Sequence, residues 1–169
     1  NLLTEPDPRG LEDVRQGIRR LGKAFGRERD SDALLAWFDG RLTATKQALA
    51  GRTPVRAAAW FDGSVAGGRT TLGEAMTAAG LVNVAADVDG WGRLDQERLV
   101  HLRPEVLLVP VASSSDAPPS LDDAPALVAW QAAGGRVLGI RGALLGTVSQ
   151  HLADLVVEIA ERVHGIHVP

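Results

Sequence analysis

After Pro54 the sequence repeats one pattern: a short apolar run, a Gly-rich or polar break, then a stretch with helical spacing. The runs are Val55 to Phe61 (VRAAAWF), Val106 to Val111 (VLLVPV) and Arg136 to Ile140 (RVLGI), with a weaker one at Val82 to Ala85. Each is too short for a helix and almost continuously apolar, as strands covered on both faces are. Pro110 has no N–H to give a ladder, so it belongs at the end or edge of its strand. Between the runs, Thr70–Ala79, Asp95–Leu102, Leu121–Ala133 and Leu144–Val163 are spaced as helices. The last carries Leu145, Val148, Leu152, Leu155, Ile159 and Val163 on one face. This alternation predicts an α/β fold, a three-layer lobe whose mostly parallel sheet is flanked by helices.

The first third reads differently. Residues 1–10 hold Pro6, Pro8 and Gly10 and are read as a linker. Leu11, Val14, Ile18, Leu21 and Phe25 follow helical steps, as do Leu34, Phe38, Leu42 and Leu49 after a cap at Asp30 or Ser31. The expectation is one long helix over 11–51, interrupted near 26–30, ahead of a lobe over 52–169.

Composition excludes several function classes. There are 18 Lys and Arg against 21 Asp and Glu in 169 residues, a net charge of −3, which argues against a nucleic-acid binder. No run approaches the length of a membrane-spanning helix. There is no Cys, so thiolate metal sites and cysteine nucleophiles are excluded. The four His (His101, His151, His164 and His167) make no metal-site pattern, and His164 and His167 fall in what reads as a frayed tail. There is no Gly-x-Ser-x-Gly elbow and no convincing nucleophile–base pair. No cofactor and no metal site is therefore assigned, and binding is favoured over catalysis.

Ligands of open α/β sheets bind beyond the carboxyl ends of the strands. That rule selects the loops Trp60–Arg69, Asp87–Arg93, Val111–Asp116 and Arg141–Thr147. The segment Gly63–Thr70 (GSVAGGRT) approaches the phosphate-binding pattern, but Arg69 stands where Lys is needed. A nucleotide-binding enzyme or regulatory domain using this loop is the alternative reading. Trp60 ends a strand and Trp91 sits in the polar loop Asp87–Arg93, and together they could wall an apolar ligand. Trp37 and Trp130 fall on helices and read as core. Arg69, Arg93 and Arg141 fall at strand ends, where a guanidinium suits anionic oxygens.

Several stretches, in order, resemble one family: LEDVRQGIRRLGKAFG from Leu11, GGRTTLGEAM from Gly67, AGLVNVAA from Ala79, WGRLDQERL from Trp91, LRPEVLLV from Leu102, and Arg136-Val-Leu before Gly142-Ala-Leu-Leu. The chain resembles the C-terminal half of the periplasmic substrate-binding proteins of ABC importers for vitamin B12, ferric siderophores and haem. The resemblance implies a binding protein, not an enzyme, that holds a metal chelate (siderophore, corrinoid or haem) between two lobes and hands it to a membrane permease. It implies that the chain is one lobe, that the N-terminal lobe and signal segment lie outside it, and that the protein works in the periplasm or otherwise outside the cytoplasmic membrane. By position it assigns Trp60, Asp62, Gly63, Ser64, Trp91, Arg93, Ser113, Ser114 and Arg141 to the ligand cleft, and Glu97 to permease docking. Haem-binding members often use Tyr on iron, and this sequence has none. Siderophores or corrinoids fit at least as well.

Overall fold

The computed structural model describes residues 8–113 and 117–169. Most of the predicted linker, residues 1–7, lies outside them. The chain opens with α1 (Leu11–Ala24) and α2 (Glu28–Ala48). Then follow β1 (Val55–Phe61), β2 (Ser64–Ala66), α3 (Thr71–Ala78), β3 (Leu81–Asn83), β4 (Trp91–Arg93), α4 (Gln96–His101) and β5 (Val106–Val111). The last elements are α5 (Pro125–Ala132), β6 (Arg136–Arg141), α6 (Gly142–Leu145) and α7 (Leu152–His164).

The sheet order is β4-β2-β1-β5-β6, and β3 also pairs with β1. The strands β3, β1, β5 and β6 are parallel. The wing β2–β4 is antiparallel and hangs on the last two residues of β1. The sheet is thus mostly parallel, as the alternation predicts. Alternate residues of β1 supply opposite cores. Ala57 and Ala59 face α1, α2, α3 and α7, where Val14, Phe38, Met76, Leu155 and Ile159 are buried. Ala58 and Trp60 face α4 and α5, where Leu99, Leu127 and Trp130 close the other side. Alanines at the sheet centre let both helical layers approach closely. Pro110 is the penultimate residue of β5, past Leu108, the last to pair with β1.

The N-terminal third departs from the expected long helix. α1 and α2 fold back on each other as an antiparallel hairpin. Gly26, in the left-handed region at φ +63°, reverses the chain after α1. Gly22 then admits the second helix: a Cβ there would sit 2.3 Å from Ser31 Oγ. Arg15 crosses the hairpin, donating from Nε to Asp39 Oδ1 (2.7 Å) and lying 5.4 Å over the Phe38 ring. The longer helix of the hairpin is α2, whose 21 residues span about 30 Å. Trp37 is 39% exposed on it rather than core, because the buried stripe runs through Ser31, Leu35, Phe38 and Thr45.

Two further readings change. Trp91–Arg93, read as a polar loop, is the strand β4. The C-terminal tail is anchored rather than frayed. Val168 is buried and donates its N–H to Glu161 Oε1 (2.9 Å), and Arg41 Nη1 donates to the Pro169 carbonyl (2.9 Å). His164 ends α7 beside the Ala79 carbonyl (3.2 Å), and burial lowers its pKa. Among the described residues no helix is long and apolar enough to cross a membrane.

Candidate functional site

β1 lies at the switch in strand order. The chain goes from β1 to β3 on one side, then crosses to β5 and β6 on the other. Parallel strands whose connections diverge leave a crevice at their carboxyl ends. A cavity of about 610 Å³ opens there, on the face covered by α4 and α5. Its apolar lining comes from Trp60 and Phe61 of β1, Val109 and Pro110 of β5, and Leu121 ahead of α5. Asp62, Arg93, Asp95, Glu97 and Asp123 supply its charged groups.

Local chemistry fixes these positions. Asp62 and Gly63 both have positive φ (46° and 81°), a two-residue turn of the type that suits Asp-Gly in β-hairpins. The turn sends β1 into β2 and leaves Asp62 at the cavity edge. Leu94 donates its N–H to the Gly63 carbonyl (2.9 Å), which ties the β4 end to the turn. Arg93 pairs in register with Ser64, and its Nη2 would lie 3.2 Å from a Cβ on Gly63. Asp95 caps α4 by accepting from Arg98 N (2.7 Å), so α4 starts at the rim with Glu97 exposed in its first turn. Gln96 Oε1 accepts from Ala126 N (2.9 Å) and holds α5 against α4. The Trp60 indole N–H is buried and has no partner among the described residues.

The cavity gathers Trp60, Asp62, Gly63, Arg93 and Glu97 from the residues selected by sequence. The others stand elsewhere. Ser64 is the first residue of β2, half-buried and paired with Phe61 and Arg93. Trp91 is half-exposed on β4, edge-on to Phe61 at 5.3 Å between ring centroids, one ring removed from the cavity. Ser113 is exposed after β5 and is not among the lining residues. Ser114 lies outside the described residues. Arg141 is bound to α7: its backbone N and Nε donate to Glu158 (3.1 and 2.5 Å). Sequence reasoning missed Phe61, Pro110, Leu121 and Asp123. The strand-end rule stopped at Asp116, and the lining segment begins only at Pro119.

The Gly63–Thr70 loop does not form a phosphate cradle. Its glycines are close-approach residues, since a Cβ on Gly67 would meet Val88 O at 2.0 Å. Their N–H groups are engaged: Gly67 N donates to Gly90 O (2.9 Å) and Gly68 N to Val88 O (2.8 Å). Arg69 is held by Asp89, its Nε donating to Oδ1 at 2.8 Å. That hydrogen bond raises the guanidinium's pKa and lowers the carboxyl's. Thr70 uses its hydroxyl to cap α3, accepting from Gly73 N (2.9 Å) and donating to Gly67 O (2.9 Å).

An open α/β sheet with an apolar crevice at its switch point is the arrangement in which such folds hold ligands. The chain belongs to the periplasmic binding protein family, whose model matches residues 2–132. The same fold occurs in the periplasmic heme-binding protein RhuT from Roseiflexus sp. RS-1 (23% identity, TM-score 0.66, covering 92% of this chain and 65% of that one). It occurs in an ABC-type Fe3+-hydroxamate transport system protein from Saccharomonospora viridis (21%, TM-score 0.74, 92% and 56%). Ceue from Helicobacter pylori, solved with Ni(II) bound, is also similar (16%, TM-score 0.77, 94% and 53%). The chain spans between about half and two thirds of these proteins' lengths. No curated protein matches the sequence.

Proposed function

We propose that this chain is the C-terminal lobe of a substrate-binding protein that captures a metal chelate outside the cytoplasmic membrane and delivers it to an ABC permease. The observation that carries the reading is the cavity at the β1 and β5 ends, lined by Trp60, Phe61 and Leu121. Its size suits a compact chelate, and its openness suits a ligand covered from the other side by a second lobe. A lobe that touches one side of a ligand binds it weakly. The neighbours named for heme and for Fe3+-hydroxamate support siderophore and haem as candidate ligands; a corrinoid rests on the sequence resemblance. Glu97, exposed in the first turn of α4 at the rim of the cavity, borders both the ligand and the outer surface, and is the acid we assign to the permease.

The test is a fluorescence titration of the four-Trp protein with ferrichrome, haemin and cyanocobalamin. One of them quenches emission saturably. Trp60→Phe removes most of that quenching, and Trp130→Phe, whose indole N–H is bound to Pro104 O (2.9 Å) away from the cavity, retains it. Absence of saturable quenching by all three, with no binding heat, refutes the assignment.

A further inference from the structure

The charges at the cavity deepen this reading, on which the following inference rests. Among the described lining residues Asp62, Asp95, Glu97 and Asp123 carry negative charge and Arg93 alone carries positive charge. Asp95 is engaged as the α4 cap. Asp62, Glu97 and Asp123 take part in no ion pair among the described residues. They come from three separate segments: the β1–β2 turn, the first turn of α4 and the approach to α5. All three border the apolar lining, so a ligand seated on Trp60 comes close to each of them. A ligand that covers a carboxylate strips its water, and the loss is offset only by a cation or an N–H donor on the ligand. A polyanionic ligand meets the three carboxylates with one guanidinium to oppose them. Arg93 is adequate for a single ligand oxygen or carboxylate, not for a triply charged complex.

We infer that the cavity selects metal chelates that are neutral or cationic overall, with peripheral ammonium or amide N–H groups, and rejects polyanionic ones. A hydroxamate-type ferric chelate has that character, because its three oxygen-donor arms neutralise the metal and leave an apolar or amine-bearing periphery. A ferric tris-catecholate carries three negative charges and lacks it. Haem, with two propionates, stands between them and loses part of its binding to the same carboxylates.

Affinities of the protein for ferrioxamine B (cationic), ferrichrome (neutral) and ferric enterobactin (triply anionic) are to be compared at low and high salt. The cationic and neutral chelates should bind at least tenfold more tightly than the anionic one, and the gap should narrow as salt screens it. Asp62→Asn combined with Asp123→Asn should reduce the ratio of cationic to anionic affinity by about tenfold. Asn-Gly suits the same two-residue turn as Asp-Gly, so the β1–β2 hairpin is retained. Tightest binding of ferric enterobactin, or an affinity ratio that the double variant does not move, overturns the charge inference while leaving the cavity a chelate site. Failure of all three chelates, haemin and cyanocobalamin to bind overturns both.

Discussion

At the end of β6 the Arg141 backbone and guanidinium converge on Glu158, a carboxylate buried within α7. Arg162 Nε approaches Oε1, the oxygen that also accepts from the Arg141 N–H, at 3.7 Å. The pair fastens the last strand to the last helix. Loss of one partner of a fully buried pair costs several kcal/mol. The Arg141 side chain is 45% exposed, so solvent screens part of that interaction. Arg141→Ala should lower unfolding stability by about 1 kcal/mol in a urea titration and leave chelate affinity unchanged. A loss of affinity with unchanged stability would return Arg141 to the cleft. The strand-end position of Arg141 was legible in the sequence. Its direction was not, because the partner lies on a helix whose docking no local pattern reports. Trp60 was legible for the opposite reason: its position in an apolar strand is sufficient to place it at the end that opens.

Among the elements, the three buried parallel strands and the helices between them follow from apolar runs and caps that can be read directly. Thr70 and Asp95 cap their helices by accepting from the backbone, whereas Asp30 and Ser31, read as a cap, lie inside α2, which starts at Glu28. Short elements were harder. β2 and β4 have three residues each, too few to show alternation, and they stabilise each other across the wing rather than by their own propensity. Asp62-Gly63 is a strong hairpin signal, but the glycines that follow it resemble a phosphate loop more than a strand. The helical hairpin was hidden similarly. Two amphipathic stripes separated by Gly26 fit a kinked rod as well as a reversal, and the choice is made by the Gly22–Ser31 approach. The turn at Gly63 makes a prediction at this scale. Gly63→Ala places a Cβ at φ +81° and 3.2 Å from Arg93 Nη2. It should cost about 1 kcal/mol of stability and weaken ferrichrome binding, read by denaturation and titration of the same sample. Wild-type stability and affinity would mean that the turn does not position Arg93.

For the molecule as a whole, the fold class and the end of the sheet that holds the cavity follow from the alternation and the switch-point rule. The cavity's composition follows less directly, because seven of its sixteen lining residues are Phe61, Pro110 and members of the Pro119–Ala124 segment, which carry no motif. The sheet carries two cores, one on either side, and they are unequal. The α7 side holds most of the large buried side chains, whereas the cavity side closes around Leu99, Leu127 and Trp130.

The β2–β4 wing has a consequence in time rather than in space. The amides of Ala58 and Leu107 lie in the parallel centre, paired on both sides or covered by both cores, and should exchange with deuterium only when the whole sheet opens. Those of Val65 and Gly92 belong to two three-residue strands attached at one hairpin, and they should exchange through a smaller, earlier opening. Equal protection of both sets in a hydrogen-exchange measurement would show the wing to be part of the cooperative core. The expected difference gives the cavity one wall that keeps its shape for as long as the protein is folded, and one that is renewed many times between unfolding events.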